Sequence, residues 1–181
     1  MINFDFGGKS VLVSGGSRGI GRVTAMMFAA AGARVAVHYH QNEKAAKQTL
    51  DDLADDGHIM VQADMADPAA VQRMVDEVSK AFNRIDILVN NAGIFEEHRI
   101  TEVPYDAWQT AWNRTIAVNL MGPANLIFCT FMQMRNQGYG RIVNVSSRGA
   151  FRGEPDCPAY GASKAGLNAM GQSLAQAMAP Y

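Results

Sequence analysis

Cysteine is scarce in this sequence. Cys129 and Cys157 are the only two in 181 residues, too few for a disulfide framework, so a small cross-linked secreted scaffold is excluded and a reducing, cytoplasmic setting is expected. Cys129 falls in an apolar helical pattern and Cys157 in a proline-flanked loop. Charge of neither sign predominates: 16 Lys and Arg stand against 17 Asp and Glu, a formal net charge of −1. That balance gives no electrostatic reason to expect nucleic acid or an anionic membrane as partner. The longest apolar stretches look shorter than a bilayer span. The opening MINFDFGGKS carries neither a basic leader nor a long apolar run, so no secretory signal is expected. Low-complexity tracts, short fixed repeats and linker-like shifts in composition are missing too. No metal site is expected.

What is present suffices for a core: 48% of residues are hydrophobic and 18% charged, the balance of a folded chain. The length fits one domain, residues 1–181. Apolar runs that read as buried strands alternate with amphipathic stretches that read as helices. Ser10–Gly15, Ala33–Tyr39, Ile59–Asp64, Asp86–Gly93 and Gly140–Ser147 are the strand candidates. Helices are expected over Ile20–Ala31 and Glu43–Asp56, from Pro68, a favoured first-turn residue, across the long stretch before Gly140, and from about Ala159. Five apolar strands separated by helices predict an α/β fold, a doubly wound parallel sheet of Rossmann type covered on both faces. Ligands of such sheets bind beyond the carboxyl ends of the strands. Four of the five strand ends here are glycine-rich or polar.

The first strand runs into SGGSRGIGR, with glycines at 15, 16, 19 and 21. Glycine permits positive φ and close backbone approach, and the helix that follows offers free N–H groups and a positive dipole end to a phosphate. A tight strand-to-helix turn needs glycine whatever it binds; its place after the first strand of a βαβ unit is what points to a dinucleotide. The segment SSRGAFRGEPDCPAYGASKAG, Ser146–Gly166, holds two serines, Tyr160 and Lys164. An isolated tyrosine titrates at about pH 10, too high for proton exchange near neutrality. A lysine four residues later on a helix lies on the same face, and its charge favours the phenolate. A hydroxyl at the end of the preceding strand can bond the oxygen of a carbonyl or alcohol, and Ser146 and Ser147 are both placed for it.

The spacing Gly-x-x-x-Gly-x-Gly from Gly15, NNAG at Asn90–Gly93 and YGASK at Tyr160–Lys164 together resemble the motifs of the short-chain dehydrogenase/reductase family, in its order and along essentially the whole chain. Ser14 stands where the family more often has threonine. The nearest functional resemblance is to the beta-ketoacyl carrier-protein reductase branch, while sugar, steroid and small-alcohol dehydrogenases share the same motifs. The resemblance implies hydride transfer between a nicotinamide and a ketone or secondary alcohol, with Asn119, Ser147, Tyr160 and Lys164 as catalytic residues. Ser147, thirteen residues before Tyr160, has the family's commonest spacing and would orient the substrate oxygen, with Ser146 pointing elsewhere. Lys164 would bind the nicotinamide ribose and tune Tyr160, and Asn119 in IAVNLMG would hold a water linked to the lysine.

Cofactor contacts are implied at Gly15, Ser17, Arg18, Gly19, Ile20 and Gly21, at Tyr39 and His40, at Asp64 and Met65, and at Asn91, Ala92 and Gly93, besides Tyr160 and Lys164. Asn90 reads as scaffold. The position where NAD-selecting members carry an acid falls on Tyr39, with His40 next and Arg18 nearby, so NADP(H) is implied and NAD(H) is the alternative. On a plainer reading Arg18 and His40 are ordinary solvated residues, and Asp64 caps a turn before Pro68.

Trp112 matches a family tryptophan, and a second, Trp108, stands four residues earlier, where the pair reads as apolar packing rather than a substrate contact. Asn113 reads as a surface residue. Only Arg135, Arg141, Arg148 and Arg152 would present charge to an acidic carrier protein. A small carbonyl or alcohol substrate, an acyl thioester among the options, is the expectation. So is a homodimer or homotetramer built on the helices around Trp112 and after Tyr160. Family members continue into sixth and seventh strands, whereas SLAQAMAPY stops where the sixth should start; an exposed fifth strand and a C-terminally truncated domain are therefore expected. Two other readings stand beside the reductase: a cofactor-binding fragment with little catalysis, and a dinucleotide-sensing regulator on the same fold.

Overall fold

Val11, Leu12 and Val13 are inaccessible to solvent on both faces of their strand, which requires a sheet covered twice with this strand inside it. The computed structural model, which describes residues 4–181, has that arrangement. β1 (Ser10–Val13), β2 (Arg34–Tyr39), β3 (Ile59–Gln62), β4 (Ile87–Asn90) and β5 (Arg141–Asn144) form one parallel sheet in the order β3-β2-β1-β4-β5. Val11 is level with Val35 on one side and Ile87 on the other, and Leu88 with Ile142. The chain steps outward from β1 to β3 and then returns to the far side of β1. That reversal opens a crevice at the carboxyl ends of β1 and β4.

Successive residues of each strand serve opposite layers. Val11, Val13, Val35, Val37 and Val89 pack with Ala25 and Ala29 of α1 (Gly19–Ala30) and with Leu53 beyond α2 (Glu43–Asp51). Leu12, Ala36, Val61 and Leu88 pack with α3 (Pro68–Phe82) through Val71, Met74, Val75 and Val78. Each fully buried Val, Leu or Met among them contributes about 1.5–3 kcal/mol. Asp86 fastens the two central strands at their start. Its wholly buried carboxylate accepts Ser10 N–H at 3.0 Å and Arg84 Nε–H at 2.9 Å.

Local chemistry sets the element ends. Asp67 caps α3 by accepting Ala69 N–H at 2.9 Å, with Pro68 in the first turn as expected. The second helix ends at Asp51 rather than Asp56 because Leu53 turns inward to the core, and Asp55 and Gly57 take positive φ of 66° and 86°. The fifth strand ends at Asn144 rather than Ser147: Asn144 is paired with Asn90, the last residue of β4, and one more bond, Val145 N–H to Asn90 O, closes the ladder. Arg141 and Val143 of this edge strand are exposed.

The long helical stretch is α4 (Tyr105–Ile116), a π turn over Ala117–Met121, and α5 (Gly122–Gln137). Pro123 has no N–H for the carbonyl four residues back, that of Asn119, so the α pattern cannot run through and the helix widens there. The whole is one helix of 33 residues, long and apolar enough to cross a bilayer, which corrects the expectation that no apolar stretch was that long. It packs within the domain instead, α5 against α3 with Leu126, Ile127 and Met134 in the core. A short helix unforeseen in the sequence, α6 (Gly149–Arg152), precedes α7 (Pro158–Met178).

Candidate active site

A cleft of about 770 Å³ lies at the crevice, walled by Gly15, Ser17, Arg18, Gly19 and Ile20, by Tyr39 and His40 at the end of β2, by Asp64 and Met65 after β3, and by Asn91, Ala92 and Gly93 after β4. These are the segments named from sequence as cofactor contacts. Gly21 stands behind them: a Cβ there would come within 2.2 Å of Gly15 O and 2.4 Å of Asn91 Nδ2. Gly19 differs, having φ +54° and no atom within 4 Å of a built Cβ. The first turn of α1 has no side-chain cap and no acidic residue, so its N–H groups and dipole end suit a phosphate.

Struts hold this turn. Ser14 Oγ donates to Val89 O and accepts the N–H groups of Asn91 and Ala92 at 2.9 and 3.0 Å, while Asn91 Nδ2 donates to the carbonyls of Ser14 and Gly15. Asn90 Nδ2 donates to Asn144 Oδ1 at 2.9 Å and so joins β4 to β5. The Ser14 hydroxyl and the amide nitrogens of Asn90 and Asn91 thus serve alignment.

Sequence reasoning missed His38, although a histidine within an apolar strand was the available signal. Its Nδ1 accepts Gly15 N–H at 2.9 Å and its Nε2 donates to Ala63 O at 3.1 Å. One imidazole thus links the ends of β1, β2 and β3, and the accepting Nδ1 assigns the proton to Nε2. Burial pushes its pKa down from 6.5 to about 4, with the Ala63 bond opposing and nearby His40 adding to the shift. Asp64 Oδ1 accepts Ala66 N–H at 2.9 Å, as a turn-capping aspartate would, and its other oxygen lies 3.7 Å from His40 Nε2. Arg114 and Val118 also line the cleft; Arg114, held to Glu96 at 3.0 Å, comes from a helix that no strand-end rule would point to.

Tyr160, Lys164, Ser147 and Asn119 are not among the residues that line this cleft and stand behind its Gly93 edge; Lys164 is buried and its Nζ donates to Val145 O at 2.8 Å, 5.8 Å from the centre of the Tyr160 ring. Burial lowers the lysine pKa. A Cβ on Gly93 would lie 3.7 Å from Lys164 Nζ and 3.3 Å from Asn119 Oδ1, so the lysine, the asparagine and the end of the NNAG segment converge. Both polar atoms of the Asn119 amide are engaged: Oδ1 accepts Ile94 N–H at 2.8 Å and Nδ2 donates to Ile94 O at 2.9 Å. Ser147 follows β5 in an irregular segment, where its Oγ accepts Gly149 N–H at 3.1 Å; Gly149 O in turn lies 3.2 Å from a Cβ built on Gly161, next to Tyr160. Ser146 Oγ is buried without a partner. Trp108 and Trp112 pack on one another, ring centres 5.8 Å apart, with Trp108 edge-on to His98. Among the described residues no grouping of three or more His, Cys, Asp or Glu could hold a metal.

Residues 9–181 match the short chain dehydrogenase family. The chain is 36% identical to a 3-oxoacyl-(acyl-carrier-protein) reductase of Staphylococcus aureus, over 94% of this chain and 69% of that protein. An NAD+-bound xylitol dehydrogenase superposes with a TM-score of 0.86 at 31% identity, covering 97% of this chain and 67% of the other. A short chain dehydrogenase from Burkholderia cenocepacia in complex with NADP gives 0.81 at 37% identity, with 96% and 70% covered. The chain thus spans about two thirds of the length of the relatives it matches. With its glycine turn and NNAG wall on one cleft and Lys164 converging on Gly93, the chain belongs to the short chain dehydrogenase family and is an oxidoreductase acting on CH–OH/C=O groups.

Proposed function

We propose that the chain interconverts a ketone and a secondary alcohol with NADP(H), using Tyr160, Lys164, Ser147 and Asn119. The observation that carries this is the convergence of Lys164 Nζ and the Asn119 amide on Gly93, with Tyr160 one turn before the lysine. The dinucleotide, when bound, supplies or accepts the hydride. The Tyr160 hydroxyl gives a proton to the carbonyl oxygen on reduction and takes one from the alcohol on oxidation. Ser147 Oγ accepts from Gly149 and keeps its own O–H to orient that oxygen. Lys164, anchored by Val145, stands beside the tyrosine and within reach of a ribose in the cleft. Asn119 locks the backbone of Ile94 and with it the wall next to the lysine.

Support for NADP(H) comes from the second strand's end, where Tyr39 and His40 offer no carboxylate to repel a phosphate, and from the exposed Arg18 across the cleft. The relatives include an NADP complex and an NAD+ complex, so both dinucleotides belong in the assay. The substrate panel is small ketones together with a 3-oxoacyl thioester, the substrate class in the name of the Staphylococcus aureus relative. Tyr160→Phe is expected to bind NADPH as tightly as wild type and to lose about 10²–10⁴-fold in kcat across the panel. Turnover retained in that variant refutes the assignment.

A further inference from the structure

We propose that His98 is a positioning residue: it caps the tyrosine-bearing helix from a distant part of the chain and ties Tyr160 to the loop between β4 and α4. The N-terminus of α7 leaves few of its first-turn N–H groups without a partner. Pro158 opens the helix and brings no N–H. The N–H groups of Tyr160 and Gly161 both reach Cys157 O, at 2.9 and 3.3 Å, and Cys157 in the cap position offers no side-chain bond. That leaves Ala159, wholly buried, as the N–H of the first turn in need of an outside acceptor. His98 Nε2 supplies it at 3.2 Å.

The imidazole is itself fixed. An accepting Nε2 puts the ring proton on Nδ1, which donates to Glu96 O at 2.7 Å. The backbone N–H of His98 donates to Asp156 O at 2.9 Å, and the next residue, Arg99, bonds the Asp156 carboxylate through Nε at 2.7 Å. Trp108 covers the ring at 5.5 Å and is backed by Trp112, while His98 is 2% exposed. Three residues before His98 on the same loop, Phe95 meets the Tyr160 ring edge-on at 4.9 Å. The loop therefore grips the start of α7 at two points, Phe95 on Tyr160 and His98 on Ala159. This gives the second tryptophan a use: it shields the cap from water, where an exposed imidazole would exchange Ala159 for solvent.

The consequence for rate rests on the reading of Tyr160 as proton donor; the cap itself does not. The test compares His98→Leu, which fills the site without an acceptor, with His98→Gln, whose Oε1 can stand in for Nε2. Measured in the full chain are amide hydrogen exchange at Ala159, Tyr160 and Gly161, NADPH affinity, and kcat and KM for a ketone. In His98→Leu, exchange at Ala159 should speed up about tenfold or more, and kcat should fall about tenfold with NADPH affinity within about twofold of wild type. His98→Gln should restore both. Unchanged exchange in His98→Leu overturns the cap, as does a Gln variant no better than Leu; restored exchange without restored kcat overturns the positioning role. If His98→Leu is insoluble, His98→Asn, too short to reach Ala159, takes its place with the same expected outcomes. A wild-type chain that reduces no ketone counts against the Tyr160 assignment, and the exchange comparison still decides the cap.

Discussion

Lowering the pH should strip stability from this protein through one buried imidazole. His38 is 1% exposed, with Nδ1 accepting from Gly15 and Nε2 donating to Ala63, and its pKa is lowered from 6.5 to about 4. The folded value lies below the unfolded one, so the unfolded chain takes up a proton first as the pH falls. The contribution is fully present above pH 6.5 and is lost as the pH drops towards about 4. Integrating between those two values gives a loss of about 2 kcal/mol at pH 5 and about 3 kcal/mol at pH 4, relative to neutrality. The assay is urea unfolding, followed by the fluorescence of Trp108 and Trp112, for wild type and His38→Asn at a series of pH values. Asparagine keeps an acceptor for Gly15 and does not titrate. His40, Asp64 and the other carboxylates are common to both proteins and largely cancel in the difference. The stability advantage of wild type over the variant should shrink by about 2 kcal/mol between pH 7 and pH 5. A difference that stays constant to within about 0.5 kcal/mol over that range would refute the claim that His38 is held neutral by its surroundings.

Two further perturbations test the cleft and the sheet. Gly21→Ala places a methyl 2.2 Å from Gly15 O, and because that contact is backbone, the glycine turn must shift; calorimetry should show NADPH affinity reduced about tenfold or more, and wild-type affinity would show that the turn does not form the seat. Asp86→Ala leaves the Ser10 N–H unpaired and Arg84 without its partner at the start of β1; urea unfolding should report a loss of about 2–3 kcal/mol, whereas a loss under about 0.5 kcal/mol would mean that water replaces the carboxylate there.

The strands were legible because fully buried parallel strands are continuous apolar runs, and β1, β2 and β4 are buried throughout apart from the first residue of β2. Their ends were less so, since a strand lasts only as long as its neighbour, and the length of β5 is decided by β4. The polar strand ends named from sequence do line one cleft, because the carboxyl ends of parallel strands open together at the point where the sheet order reverses. His38 and His98 escaped notice for a different reason. Each acts on a backbone N–H far along the chain, Gly15 in one case and Ala159 in the other, and neither belongs to a motif of fixed spacing. Trp108 stood out in the sequence, but its partner His98 is ten residues away on a loop with no periodicity to announce it.

The π turn at Ala117–Met121 sets the phase between two lengths of helix. One residue of α-helix corresponds to about 100° of rotation, so a turn holding a residue more than usual lets the stretch before it and the stretch after it face their partners independently. Ahead of it, Trp112 points to Trp108 and the His98 cap; within it, Asn119 points to Ile94; beyond it, Leu126, Ile127 and Met134 point to the sheet and α3, and Phe128 and Met132 face solvent. Removing one residue from the turn would swing every one of those later side chains by about 100° against the earlier ones. The helix works as a pair of dials joined by a clutch, and Pro123, which denies Asn119 its usual donor, is what keeps the clutch open.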